Sequence, residues 1–233
     1  MTGQFRSLFR RVVKSPGFTS VTILTLALGI GANTAIFSVL NGILLKPLPF
    51  SESDRLAGIW MSAPGINIPE LNASPSQLFL FGEESKTFDH MSLWASDRVA
   101  ITAAGEPEEL DALNVTNGLL TALRVNPALG RSFRKDDDLP SSPKVTMISH
   151  GYWQRRFGGD PGVIGKSLIV DSESREIIGV LPRDFRFLDQ QAQLLVPMRF
   201  DRSKVFVGNF SFHGVARLKP GVTWQEANAD VAR

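Results

Sequence analysis

The feature that most constrains this chain is an uncharged run of 31 residues, Ser15 to Leu45, near its start. A helix needs about 20 residues, each adding about 1.5 Å, to cross the roughly 30 Å hydrocarbon core of a bilayer. The run is long enough to do so, and residues 15–46 are predicted to form a transmembrane helix. A cleaved signal peptide is the alternative, although its apolar stretch covers only about 7–15 residues and ends at a cleavage site of small residues. The apolar stretch here is longer, and no clear site follows it.

The charges beside this run predict its orientation in the membrane. Four cations precede it: Arg6, Arg10, Arg11 and Lys14. Lys46 follows it, and the next charged residues are the acids Glu52 and Asp54. Because Lys and Arg are enriched on the cytoplasmic side of membrane helices, we expect the N-terminus in the cytoplasm and the residues after about 46 outside it.

Residues 1–14 also show the spacing of an amphipathic helix. Phe5, Leu8, Phe9 and Val12 recur at helical intervals, and the cations lie on another face. Such a helix lies in the inner-leaflet interface, where its cations contact anionic lipid headgroups. A plain cytoplasmic flank explains the charge equally well, and the apolar spacing favours the interfacial helix.

Small residues inside the run indicate a contact with another helix. Ala27, Gly31 and Ala35 recur at every fourth position, which lets two helices approach closely. Asn33 and Asn41 supply amides that can hydrogen-bond across such a contact, whereas an unpaired amide in hydrocarbon is unfavourable. We therefore expect this helix to pack against other transmembrane helices. Glycine is common in membrane helices, so a helix without such a partner is the alternative.

Net charge separates the chain into two unlike parts. Residues 1–50 contain five basic side chains and no acid, whereas residues 51–233 contain 20 basic and 23 acidic side chains. The sequence pI of about 9.1 therefore comes from the membrane segment, and the acidic remainder does not fit a nucleic-acid surface. The absence of cysteine excludes disulfides, zinc–thiolate sites and cysteine nucleophiles.

Beyond the membrane segment, short strand and helix patterns alternate, which predicts an α+β fold: one N-terminal transmembrane helix followed by a mixed α/β domain. Ser74 and Pro75 are typical of a helix start and predict a helix to about Ser85. Residues 150–157 are a predicted helix, and Asn117 is the predicted cap of a short helical turn. Strands are predicted at 55–62, 91–102, 109–116, 144–149, 166–171, 175–181, 194–198 and 212–219. The second and third of these form a predicted hairpin, and so do the fifth and sixth, around a turn at Ser172–Ser174.

The end of the sequence predicts an unfinished unit. Thr223 and Glu226 form a capping box that starts a helix, and that helix is expected to continue to Arg233. No strand follows to complete an α/β unit. We therefore expect either that the chain is C-terminally incomplete or that its last helix is frayed.

One glycine-rich segment comes close to a nucleotide-binding motif. GGDPGVIGKS at 158–167 resembles a phosphate-binding loop, but five residues instead of four separate Gly159 from Gly165. A strand pattern follows Lys166 where that motif requires a helix. We interpret the segment as a structural turn.

The other residue types that could form a catalytic or metal-binding site also lack the spacing that such sites require. Three histidines have neither metal-ligand spacing nor a serine elbow to work with: His90, His150 and His213. Asp136 to Asp138 lack calcium-loop spacing and are expected in a solvated turn. Four acids lie in the turn and at the strand edge of the first predicted hairpin, where paired-carboxylate catalysis is chemically possible but has no supporting pattern: Glu106, Glu108, Glu109 and Asp111. Four aromatic residues are expected in the core: Trp60, Trp94, Trp153 and Phe157. No catalytic, cofactor-binding or metal-binding residue is predicted.

Long strings of this sequence resemble the MacB-type permeases of ABC transporters, most closely the orphan permeases without a fused ATPase. KSPGFTSVTILTLALGIGANTAIFSVLNGILLKPLPF at 14–50 resembles their first membrane helix. HGYWQRRFGGDPGVIGKSLIVDSESREIIGVLPRDFRF at 150–187 and VARLKPGVTWQEA at 215–227 resemble their periplasmic core domain. With NVTNGLLTALRVNPALGRSF at 114–133, the resemblance covers nearly the whole chain.

The resemblance implies two subdomains in residues 47–233. A porter-like part would comprise 50–116 and 209–233, and an inserted part would comprise 117–208. The family also implies four membrane helices in each permease unit, with the periplasmic domain between the first and the second. This sequence contains the first helix but not the later ones, nor the cytoplasmic loop that contacts the ATPase.

The function implied by the resemblance is that of a non-enzymatic permease component, in the bacterial inner membrane, of an ABC-type efflux or mechanotransmission system. ATP hydrolysis by a separate cytoplasmic ATPase subunit would move the membrane helices, and the periplasmic domain would follow. The implied partners are the lipid bilayer, this ATPase and other transmembrane helices, from the same permease type or a second copy of the chain. A membrane-tethered periplasmic binding module without transport activity is one alternative. An anchored hydrolase that uses His150 or His213 is the other.

Overall fold

The computed structural model describes residues 16–44, 48–102 and 107–232. The chain divides into an N-terminal helix, α1 (Pro16–Leu44), and a compact domain that begins at Pro49. The helix predicted over 1–14 lies outside the described residues, and so do its cations: Arg6, Arg10, Arg11 and Lys14.

Helix α1 has the length and composition of a membrane span. Its 29 residues, at about 1.5 Å each, extend about 44 Å, and the stretch Pro16–Val39 is long and apolar enough to cross a bilayer. Pro16 occupies the first turn, where its missing N–H removes no helical hydrogen bond. The hydroxyls of Thr22, Thr25 and Thr34 donate to carbonyls four residues earlier, at 2.9, 2.9 and 2.7 Å. These donors therefore need no water in hydrocarbon, and the predicted apolar helix is confirmed.

The domain is built from short strands and helices, as predicted. Its strands are β1 (Leu56–Ile59), β2 (Met61–Ala63), β3 (Ile68–Leu71), β4 (Phe88–Ile101), β5 (Glu108–Val115), β6 (Leu129–Gly130), β7 (Val145–Ile148), β8 (Ser167–Val170), β9 (Glu173–Val180), β10 (Leu194–Pro197) and β11 (His213–Leu218). Its α-helices are α2 (Pro75–Glu84), α3 (Leu119–Leu123), α4 (His150–Phe157) and α5 (Trp224–Val231). Short 3-10 turns lie at Ser53–Arg55, Pro64–Ile66, Lys135–Asp138, Pro161–Val163 and Arg202–Lys204.

Most of the strands belong to one sheet that partly closes on itself. Within the described ranges, nine strands form this sheet in the order β1-β11-β4-β5-β10-β7-β9-β6, and β8 pairs with both β9 and β4. The β5–β10 and β7–β9 pairs are parallel. Because β8 joins β9 to β4, the strands β4-β5-β10-β7-β9-β8 form a closed ring. Strands β2 and β3 form a separate hairpin.

A short contact between β8 and β4 closes this ring. Ile101 pairs with Val170, and the Asp171 N–H donates to the Ala100 carbonyl at 2.8 Å. Asp171 and Ser172 have φ of 49° and 66°, as a type I′ turn between β8 and β9 requires. The predicted hairpin is confirmed, but its turn begins earlier than the predicted Ser172–Ser174, because Ser174 is already paired in β9.

Buried apolar side chains fill the ring. One cluster draws residues from all of its strands: Val99, Ile101, Leu110, Ala112, Ile148, Leu168, Val170, Ile177, Val180, Leu194 and Val196. Since successive residues of a strand point to opposite faces, their neighbours lie on the outer face, where a second cluster contains Trp94, Leu113, Val115, Met147 and Leu195 with α3. A third cluster packs β1 and β11 against α5. The ring therefore has its own core, separate from that of the outer face.

Local sequence signals located most elements correctly. Ser74 caps α2 and forms a capping box with Gln77, α4 matches the predicted helix, and the β4–β5 hairpin is present. Helix α3, however, has Gly118 at its N-cap and not Asn117. Helix α5 ends at Val231 with Ala232 as its C-cap, so it stops short of its expected end at the last residue.

The expected burial of one aromatic residue is wrong. Trp94 is buried, and Trp153 and Phe157 are half-buried against the ring core, but Trp60 is 61% exposed. Trp60 follows β1 on the same side as Gly58, and its ring lies where a Gly58 side chain would be. The indole of Trp60 therefore covers the backbone of Gly58 at the surface and does not enter the core.

Candidate functional site

Helix α1 presents the small-residue stripe predicted from the sequence. Ala27, Gly31 and Ala35 are exposed, and at about 100° per residue they cover an arc of about 80° on one helix face. A Cβ placed on Gly31 would lie more than 4 Å from any atom beyond its own helical neighbours. Close approach of a second helix along this stripe stays a prediction from the spacing of its small residues.

Asn33 lies on a different face of α1 from that stripe. Two residues separate it from Gly31, which is about 200° around the helix, whereas Gly29 precedes Asn33 by one turn. An amide in this position points away from a contact made through Gly31 and would need a different partner, so the role of these four residues in helix packing stays a prediction. The side chain of Asn41 lies outside the described part of the structure.

A buried arginine fixes the segment through which the chain enters the domain, here called the entry segment (Pro49–Arg55). Arg217 lies on β11 and is fully buried. Its Nη1 and Nη2 donate to the carbonyls of Glu52 and Ser51, each at 2.9 Å, and its Nε donates to the carbonyl of Ala122 in α3. One side chain therefore connects the entry segment, α3 and β11. Its acceptors are backbone carbonyls, which are present whichever side chains these positions carry.

Charged side chains near the surface make further contacts within and to the entry segment. Glu52 accepts hydrogen bonds from Arg55 and Arg124. These bonds, that from Arg55 foremost, hold the pKa of Glu52 below its usual range. The Arg55 Nε also donates to the Leu218 carbonyl at 2.9 Å. Phe50 packs against the outer-face core, so the entry segment is held by apolar contact as well.

Sequence reasoning did not single out Arg217. The available signal is that Arg217 interrupts the apolar stretch VARL, because a charged side chain in a buried strand requires hydrogen-bonding partners. Those partners are carbonyls about a hundred residues or more away in sequence. Their positions cannot be predicted without the fold.

The histidines considered for catalysis lie on separate elements. His213 stacks on Trp94 with ring centroids 4.4 Å apart, and His150 packs edge-on against Trp153. His90 lies 3.9 Å from the Asp89 carboxylate. In the described parts of the chain, no group of three His, Cys, Asp or Glu side chains could hold a metal ion.

The acids near the β4–β5 hairpin also lie apart from one another, with different partners. Glu108 accepts a hydrogen bond from the Tyr152 hydroxyl at 3.1 Å, whereas Asp111 pairs with Arg98 at 3.5 Å. Strand alternation places Glu109 and Asp111 on the face opposite Glu108. Glu106 lies outside the described residues.

The glycine-rich segment at 158–167 is a structural turn. Gly158 caps α4 with φ 61°, and Asp160 accepts the Gly162 N–H at 2.8 Å. Lys166, the cation that a phosphate site would need, donates to Asp160 at 2.9 Å, and β8 follows it. This arrangement agrees with the interpretation drawn from its spacing.

The acids expected in a solvated turn are partly buried. Asp137 is buried and accepts hydrogen bonds from Arg131 and the Arg134 N–H, both at 2.6 Å. Asp138 accepts the Asn117 N–H at 2.8 Å, and its other oxygen is buried and unpaired. Burial raises the pKa of Asp138 to about 7, and the neighbouring Asp137 charge adds to this effect. The expectation is wrong for Asp137 and Asp138, which hydrogen bonds from Arg131, Arg134 and Asn117 hold against the chain, whereas Asp136 is exposed.

Comparison with known proteins identifies a family model and solved structures that this chain resembles. A family model described as the MacB-like periplasmic core domain matches residues 19–233. The structure is similar to the periplasmic region of MacB from Actinobacillus actinomycetemcomitans, with a TM-score of 0.58 and 14% identity over 76% of this chain and 80% of that one. It is also similar to the extracellular domain of the noncanonic ABC-type transporter YknZ from Gram-positive bacteria, with a TM-score of 0.55 and 14% identity over 76% of this chain and 91% of that one. Comparison with curated protein sequences gives no match. The chain therefore belongs to the family that carries the MacB-like periplasmic core domain of ABC-type transporter permeases.

Proposed function

We propose that this chain is a membrane-anchored, non-enzymatic permease component of an ABC-type efflux or mechanotransmission system. A separate cytoplasmic ATPase subunit hydrolyses ATP, the membrane helices move, and the periplasmic domain follows α1. The observation that supports this proposal most is the fixation of the entry segment by Arg217. A displacement of the chain at Pro49 would be passed to β11 and α3 through these bonds instead of being absorbed by a loose linker.

In this proposal, two faces of α1 contact other transmembrane helices. The stripe of Ala27, Gly31 and Ala35 would pack against one helix, of the same permease type or of a second copy. Asn33, on the other side, would hydrogen-bond to a different helix, because an amide in hydrocarbon needs a partner. The cations Arg6, Arg10, Arg11 and Lys14 would keep the N-terminus in the cytoplasm, next to anionic headgroups of the inner membrane.

The domain would divide as the family resemblance implies. In this proposal, 50–116 and 209–233 form the porter-like part, and 117–208 form the inserted part. The ring contains strands from both parts, since β4 and β5 come from the first and β7 to β10 from the second. Movement of the porter-like part would therefore carry the inserted part with it through the β5–β10 and β4–β8 pairs.

Recovery of the chain from native membranes tests the proposal. An affinity-tagged full chain is extracted in mild detergent, and the proteins bound to it are identified by mass spectrometry. We expect an ABC ATPase subunit among them, recovered through the other membrane helices that α1 would contact. The matched control replaces residues 15–46 with an unrelated span of the same length and orientation, and this control should lose the ATPase. Recovery of no ATPase with either chain would contradict the proposal and favour a tethered periplasmic binding module.

A further inference from the structure

A cleft opens beside the entry segment and is here called the entry cleft. Its volume is about 220 Å³, and its lining comes from three distant parts of the chain: Pro49 and Phe50, Arg124 to Asn126, and Pro182 with Asp184 to Arg186. Much of the wall is apolar, and Phe50, Val125 and Phe185 pack from there onto the outer-face core. The entry cleft therefore combines apolar walls with charged groups at the point where the chain enters the domain.

One wall of the entry cleft belongs to a loop with two unpaired cations, here called the arginine loop (Pro182–Leu188). Arg183 and Arg186 are exposed, and neither makes a hydrogen bond or an ion pair with any described residue. The loop is nevertheless fixed, because Phe187 is buried and packs edge-on against Trp94 with ring centroids 5.2 Å apart. An acceptor that binds these arginines would thus need to order only their side chains.

The last residue of the arginine loop is poorly suited to water. Leu188 has φ 53°, which is rare for a bulky side chain, and it is 50% exposed. Both features are unfavourable in aqueous surroundings, because the backbone is strained and an apolar side chain stays hydrated. An apolar environment that buries Leu188 would offset this cost.

The entry cleft is tethered to the outer surface of the bilayer. Helix α1 extends about 44 Å, which is the thickness of a bilayer with its headgroup layers, so a span that begins at the inner surface ends among the outer headgroups. Residues 45–48 separate Leu44, the end of α1, from Pro49 in the cleft, and a chain of this length reaches at most about 18 Å. This step rests on the proposed function for the orientation of α1.

We propose that the entry cleft and the arginine loop contact the adjacent membrane leaflet, and that Arg186 binds the phosphate of a phospholipid headgroup. Guanidinium donors suit phosphate oxygens, the apolar walls of the cleft contact the glycerol region, and Leu188 enters the boundary between headgroups and acyl chains. Asp184 lines the same cleft and would repel a free phosphate ion. A lipid, which adds apolar contact, is therefore the occupant that this cleft favours.

Fluorescence quenching in vesicles tests the proposal, and the chain contains no cysteine of its own to interfere. The full chain with Leu188→Cys is labelled with bimane and reconstituted in equal parts of phosphatidylethanolamine and phosphatidylglycerol, with and without a nitroxide on the lipid headgroup. The matched control is Ile66→Cys, another exposed apolar residue, which follows the end of β1 remote from the entry segment. We expect severalfold stronger quenching at Leu188→Cys. Equal quenching at the two positions would overturn the proposal.

A second substitution in the labelled Leu188→Cys chain tests the role of the guanidinium. Arg186→Gln keeps a polar side chain but loses the charge, and we expect quenching to fall severalfold. Arg98→Gln, at a side chain that is 69% exposed, is the control and should leave the quenching unchanged. Unchanged quenching in Arg186→Gln would overturn the assignment of the headgroup phosphate to this residue.

Failure of this inference is distinguishable from failure of the proposed function. The vesicles contain no ATPase, and the chain places its entry cleft beside a leaflet in either orientation of insertion. Absence of quenching would therefore reject the lipid contact alone, whereas recovery of the ATPase from native membranes tests the proposed function.

Discussion

At the scale of single residues, Arg217 has the clearest structural role. It is fully buried, yet it faces backbone carbonyls and no carboxylate. Such a guanidinium is retained only where several carbonyls converge on it, since burial of a charge without partners is strongly unfavourable. Here the converging carbonyls belong to the entry segment and to the end of α3. The residue therefore holds the entry segment to the interior of the domain.

Replacement of Arg217 by Met should destabilise the domain. The variant keeps the apolar volume but leaves the carbonyls of Ser51, Glu52 and Ala122 without their donor, and we expect the free energy of unfolding to fall by about 3 kcal/mol. Urea unfolding followed by tryptophan fluorescence measures this. Arg98→Met, at a side chain that is 69% exposed, is the matched control and should change stability by less than about 0.5 kcal/mol. An equal effect of the two substitutions would show that the Arg217 bonds do not hold the entry segment.

Asp138 should make the stability of the domain depend on pH. Its pKa is raised from 3.8 to about 7 in the folded state by burial, so the folded state retains a proton that the unfolded state has lost. Stability therefore falls as pH rises from about 4 to about 7 and is lowest above that range. Asp138→Asn removes this penalty, whose upper limit is about 4 kcal/mol for three pKa units.

The measurement is the free energy of unfolding of Asp138→Asn at several pH values. We expect the variant to be more stable than the unmodified chain at pH 8 and equal to it near pH 4. Asp136→Asn, at the exposed neighbour, should show no such difference. A stability difference that is the same at both pH values would exclude titration of Asp138 as its cause.

At the scale of elements, the helices and hairpins that were predicted correctly are those formed by residues close together in the sequence. Helix α4, the N-cap of α2 and the capping box of α5 depend on residues within a few positions of one another, and all were predicted. The β4–β5 and β8–β9 hairpins were predicted for the same reason. The β4–β8 contact joins residues about seventy positions apart, and no local sequence pattern predicts it. The ring was therefore not predictable.

Helix α1 gives the most direct prediction at this scale. Gly31→Leu places a large side chain on the stripe of Ala27 and Ala35, and we expect association of α1 in a membrane-dimerisation assay to fall severalfold. Ala32→Leu is the control, because it adds the same side chain about 100° around the helix from both Gly31 and Asn33, and it should leave the signal unchanged. Equal loss in both variants would indicate that the stripe has no special part in the contact.

At the scale of the whole molecule, composition and resemblance together predicted the architecture. An uncharged run long enough to span a bilayer precedes a mixed α+β domain, and both are present. The family membership follows from residues 19–233. The residues that hold the domain to its entry segment, and those that line the entry cleft, come from distant parts of the sequence. Their convergence is a property of the tertiary fold, so the partners of Arg217 could not be predicted from the sequence.

The central claim is that α1 crosses the membrane and holds the domain outside the cytoplasm, and cysteine labelling tests it most directly. The sequence contains no cysteine, so a single introduced thiol reports one position. Ser141→Cys is exposed in the domain, and Ser7→Cys lies in the N-terminal segment. With a membrane-impermeant maleimide on intact spheroplasts, we expect Ser141→Cys to be labelled at once and Ser7→Cys only after the membrane is permeabilised. Labelling of Ser7→Cys in intact spheroplasts, or protection of Ser141→Cys, would contradict the account.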